Sequence, residues 1–238
     1  MSTHAARPPA HQHVGLRPLV TSHWTWLAIG LIVAFAVPFL LADLLALNRD
    51  LFYGLYALAV FELFWLWTRS TGFDFIAAVR RRWLAASLLG LAAAGVLGAM
   101  VVRTEAATAR PAGIDLVAAV PCRGVVYWAT DGFLLSVFPI LIVFAALAGS
   151  RLNRRFAGRV AIGVVALVAS LAMTAVYHFG YSDFRSAKVR KPLTGDLVWS
   201  IPTLLTLNPI GSPIAHVGLH VSAVLHSYQT DTFLPPHE

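Results

Sequence analysis

The chain has 238 residues, of which 58% are hydrophobic and 12% charged, against roughly 25% charged in ordinary soluble domains. Its mean hydropathy is +0.72, and 18 Lys plus Arg against 11 Asp plus Glu give a formal net charge of +7. These values exclude a disordered chain, a fibrous repeat and an ordinary cytosolic enzyme, and leave a multi-pass membrane protein of one domain. The basic excess lies between apolar runs, where it faces anionic lipid. No nucleic-acid motif accompanies it, so the expected partners are the lipid bilayer and neighbouring membrane subunits, not nucleic acid. Only two of the basic residues are Lys (Lys188 and Lys191) and the rest are Arg. With abundant Ala and Gly, this points to a GC-rich bacterial genome and to the bacterial cytoplasmic (inner) membrane. The single cysteine, Cys122, excludes an internal disulfide and a multi-cysteine metal site.

Residues 1–23 read as a polar tail with Pro8 and Pro9, not a signal peptide, because no apolar run begins early enough. A spanning helix needs about 20 apolar residues. The runs that qualify are 24–45, 50–67, 83–102, 124–149 with Pro139 inside, and 160–181. The last apolar stretch, 197–228, is broken by Pro202, Asn208-Pro209 and Gly211 to Pro213. It predicts a short helix, a turn and a final helix. With a short apolar lead-in before Pro121, the expectation is an all-α, polytopic transmembrane helical bundle. It has about seven hydrophobic elements, roughly six to eight, over 24–228, followed by a short tail over 229–238. Arg-rich links at 69–82 and 150–159 fall on one side with the N-terminal tail, which the positive-inside rule makes cytoplasmic. The basic link 182–196, with Arg185, Lys188, Arg190 and Lys191, conflicts with that scheme.

Ionisable residues inside apolar runs are costly and mark function by default. Asp43 lies near a span end and reads as interfacial, whereas Glu62 sits deeper. Asp131 follows Arg123 by eight residues, about 80° round a helix, so the two lie roughly on one face. His216 and His220 are spaced i, i+4 and point the same way, a spacing that lets two imidazoles bind one metal ion. His178, near the end of a separate span, is a third candidate ligand. Cys122 beside Arg123 reads as a buried inert thiol.

The order of three short segments resembles the CPBP family of intramembrane proteases, the CAAX-prenyl endopeptidase and bacteriocin-processing group. Members carry Glu-Glu-x-x-x-Arg-Gly, then Phe-x-x-x-His, then His-x-x-x-Asn. Here Arg123-Gly124 is similar to the end of the first, Thr174 to His178 to the second with Thr for Phe, and His216 to His220 to the third with His for Asn. The resemblance covers residues 115–228 and implies a membrane-embedded core whose site holds Arg123, His178, His216 and His220. The paired glutamates, which in the family activate the attacking water, fall at Ala118 and Ala119. The resemblance therefore implies a core without that general base, serving as a binding, scaffolding or assembly subunit. The residues leave two alternatives open. One is a hydrolase-like intramembrane metalloenzyme with a divalent metal such as zinc on His178, His216 and His220, and Asp131 or Glu62 as base. The other is a haem b protein with His178 and His216 or His220 as axial ligands.

Overall fold

The computed structural model describes residues 22–229 and, within them, the side chains of all but 122–124. Residues 1–21 of the tail expected over 1–23, and 230–238 of that expected over 229–238, lie outside the described residues, and His23 opens the first helix. Those residues form a helical bundle: α1 (His23–Pro38), α2 (Arg49–Thr71), α3 (Phe75–Arg80), α4 (Trp83–Thr104), α5 (Gly113–Ala119), α6 (Tyr127–Gly132), α7 (Phe138–Ala146), α8 (Phe156–Phe179), α9 (Arg190–Trp199), α10 (Ile201–Thr206) and α11 (Gly211–His226). Five helices are long and apolar enough to cross a membrane: α1 with its continuation to Leu44, α2, α4, the composite α6–α7, and α8. They match the five continuous runs in the sequence. The count of long spans is five, lower than the seven expected, because the prolines of the last stretch break it into short pieces.

Local chemistry sets the helix ends. Asn48 caps α2 by accepting from the Leu51 N–H at 3.0 Å, and Asp74 caps α3 by accepting from Ala77 at 2.8 Å, the role these side chains play best. Gly72 closes α2 in the left-handed region at φ 68°, where the missing Cβ removes the steric cost. Segments with π-helical turns occupy Phe39–Leu44, Val120–Val126 and Phe133–Val137. The last two flank α6, and such wide turns concentrate at functional sites.

The α6–α7 span is the central helix: 67% of it is buried, against 33% or less of the other four spans. Aromatic rings fill the space around it, with Phe52, Tyr56, Tyr127, Phe138 and Tyr177 fully buried. Helices α4 and α11 pack backbone to backbone. A Cβ on Gly90 would lie 2.6 Å from the Gly211 carbonyl oxygen, and one on Gly218 would run into Ala94. Small residues on both faces permit that approach, the usual device for close helix contact in a bilayer.

The broken C-terminal stretch runs the depth of the bundle twice. At one end the Asn208 side-chain amide donates to the carbonyls of Ala78 (3.1 Å), Val79 (2.7 Å) and Arg81 (2.5 Å), just before α4. At the other end the Thr108 N–H donates to the His226 carbonyl at 2.9 Å, and Lys191 pairs with Glu105 at 3.0 Å. So α9 and α10 lead from the Glu105 end to the Arg81 end, and α11 returns. The basic link 182–196 is partly neutralised: Arg185 pairs with Asp43 at 3.0 Å and Lys191 with Glu105. Counting cations in the sequence does not register those partners.

Candidate functional site: a histidine and tryptophan cavity

Asp131 and Trp128 sit three residues apart on α6, so both side chains leave one face of that short helix. Both are buried, at 1% and 3% exposure. Asp131 Oδ1 accepts from the Tyr56 hydroxyl at 2.5 Å, and its Oδ2 lies 3.9 Å from His216 Nε2. A buried carboxylate needs such partners, because desolvation otherwise outweighs any local gain. Behind it, the hydroxyls of Tyr127, Tyr177 and Tyr181 are mutually hydrogen bonded.

His216 and His220 emerge from α11 one turn apart, both buried. Their rings stack at 4.8 Å. Trp128 lies parallel to His220 at 3.2 Å and 6°, and Trp199 covers His216 at 4.2 Å. His178, in the last turn of α8, donates from Nδ1 to the Thr174 carbonyl at 2.7 Å. That bond fixes the tautomer and leaves Nε2 as an acceptor.

These groups line one cavity of about 250 Å³, together with Tyr177, Met100, Leu219, Arg190 and Lys191. Of the residues singled out in the sequence, Asp131, His178, His216 and His220 therefore meet in one place. Arg123 and Cys122 fall outside the described side chains. Ala118 and Ala119, where the CPBP glutamates would stand, line a different depression with Asp50 and Asp115. The carboxylate beside the histidines is Asp131 instead. Glu62, the alternative base, does not line the cavity and stands exposed on the outer side of α2. Asp43, expected at an interface, holds Arg185 and the Ser182 N–H.

Among the described residues no group of three His, Cys, Asp or Glu is placed to hold a metal ion. The His216 and His220 rings stack on each other and Trp128 lies parallel to His220. A ligand set needs nitrogen lone pairs that converge on a point. The cavity, at about 250 Å³, is smaller than the roughly 300–1,000 Å³ of sites for drug-sized ligands.

Sequence reasoning missed Trp128, Trp199, Tyr177 and the rim cation Arg190. Trp128 carried a signal, its i, i+3 spacing from Asp131. Trp199 carried little, since a tryptophan at the edge of an apolar run reads equally well as a lipid anchor. A second buried carboxylate was also missed. Asp196 on α9 accepts from Ser200 (2.5 Å), Thr174 (2.9 Å), Ser170 (3.1 Å) and Ser136 (3.3 Å), tying α9 to α8 and to the central helix.

Comparisons with protein families, curated proteins and solved structures found no match to this chain.

Proposed function

We propose that this is a multi-pass protein of the bacterial cytoplasmic membrane, built on a CPBP-like core that has lost the paired glutamates. It acts by binding a small polar ligand in the cavity between α6, α8, α9 and α11, not by CPBP-type proteolysis. The observation that carries this reading is the convergence of Asp131, His178, His216 and His220 on one cavity, while Ala118 and Ala119 lie outside it. Further support comes from the cavity wall. Trp128 Nε1, Trp199 Nε1 and His216 Nδ1 are buried with no hydrogen-bond partner. Unsatisfied buried polar atoms cost about 1–3 kcal/mol each, and sites that receive a ligand are where such a cost is retained. In this reading α9–α10 and α11 also cross the membrane, making seven passes with the C-terminal side opposite the Arg-rich links.

The test is purification in mild detergent, followed by mass spectrometry of co-purified small molecules, comparing the protein with Leu219→Trp, which fills the cavity. The expected outcome is a species retained by the first and absent from the second. Identical profiles would remove the binding reading. The 3.9 Å approach of His216 to Asp131 favours one second reading, hydrolysis in which His216 activates water and Asp131 orients it. That reading requires turnover of an ester or amide probe that His216→Ala and Asp131→Asn both abolish.

A further inference from the structure

Glu62 takes no part in the cavity, yet its position needs explaining. It lies two residues past the midpoint of α2, Arg49–Thr71, which at 1.5 Å per residue is about 3 Å from the centre of the span. Its side chain is exposed, and among the described residues it has no hydrogen-bond or ion-pair partner. The buried side of α2 carries Phe52, Tyr56, Val60, Leu63 and Trp67. Glu62 lies on the opposite side, with exposed Leu55, Leu58, Phe61, Trp65 and Leu66, on the surface that meets lipid. Acidic groups at that depth almost always face a bundle interior and find a partner there. Arg69 does not supply one: it lies seven residues on, about 10 Å along the axis, with its guanidinium over Trp65 at 5.8 Å.

A groove of about 360 Å³, lined by Phe61, Phe64, Trp65, Phe75 and Phe133, opens on a neighbouring side of α2, and Glu62 does not line it. A carboxylate at this depth calls for a cation from a neighbouring helix. The described residues of a second copy offer no cation at mid-span depth. Among the described residues the basic side chains of the five spans are Arg49, Arg69, Arg103, Arg159 and the two terminal-turn histidines His23 and His178, all near span ends. His216 and His220 are enclosed in the cavity. A symmetric parallel pair would moreover set Glu62 against Glu62 at equal depth.

We infer that the outer face of α2 around Glu62 docks a transmembrane helix of a different protein, one bearing a lysine or arginine near the middle of its span. The test uses the full chain in phosphatidylcholine vesicles with two dye-labelled synthetic helices, an uncharged Leu/Ala helix and the same helix with one central Lys. Energy transfer from a dye on the protein reports association. The central-Lys helix is expected to bind about tenfold more tightly than the uncharged one, the size of one interhelical polar contact in a bilayer. Glu62→Leu should erase that preference and Glu62→Gln should retain part of it. Because the side chain faces outward, both variants should keep the parent's thermal midpoint, so loss of preference is not loss of fold. The inference is overturned if the two helices bind alike, or if the preference survives Glu62→Leu. It is equally overturned if the chain associates with itself through Glu62, which would make a second copy the occupant.

Discussion

Asp196 shows how a single side chain can hold several helices. Its two oxygens accept four hydroxyl hydrogen bonds from three other segments, and it is fully buried. Asp196→Ala leaves those hydroxyls to partner one another poorly, and should lower stability by about 3 kcal/mol, read as a fall in the thermal midpoint in detergent. Asp196→Asn, which keeps acceptor capacity, should cost less. Tyr56 and Asp131 form a second buried pair. A double-mutant cycle with Tyr56→Phe and Asp131→Ala should give a coupling of about 1–2 kcal/mol in chemical unfolding; additive effects would mean that the hydroxyl and carboxylate are independent. At this scale the sequence was informative about identity and silent about orientation. The i, i+4 spacing of His216 and His220 does place both rings on one side of α11. Whether they present edges or faces depends on Trp128 and Trp199, which lie far away along the chain.

Between α4 and α11 the decisive residues are small ones. Gly218 packs against the backbone of Ala94, and it lies between the two cavity histidines. Gly218→Val should force the helices apart, cost about 1–3 kcal/mol by overpacking, and displace His216 and His220 together. Gly54 on α2, whose Cβ would meet nothing within 4 Å, provides the control: Gly54→Ala should leave the thermal midpoint within a degree or two of the parent, since no neighbour has to move. The five long helices were legible because each is one uninterrupted apolar run. The π-helical turns around α6 were not, since no residue pattern over 120–137 announces them. Yet they set the angular position from which Trp128 and Asp131 reach the cavity.

At the scale of the molecule, the C-terminal third is fastened to both ends of α4. Asn208 donates to three carbonyls before that helix, and Leu207 beside it holds φ 53°, a left-handed conformation that a non-glycine residue keeps only when its surroundings enforce it. Asn208→Ala should loosen this fastening without unfolding the bundle. Amide hydrogen exchange should accelerate in α10 and at the start of α11 while α7 and α8 stay protected. The break of the last apolar stretch was readable from its prolines. Its return to α4 was not, because Asn208 and the carbonyls it binds lie about 130 positions apart, a separation that local pattern cannot bridge.

That late fastening also orders events during synthesis. The central helix and α8 leave the ribosome well before Trp199, His216 and His220, so a nascent chain reaching only α8 carries Asp131, Tyr56 and His178 but no enclosed space around them. The cavity closes only when α11 settles against the glycines of α4, among the last steps of insertion. A chain cut short before Gly211 lacks the helix that packs on Gly90 and Gly98 of α4.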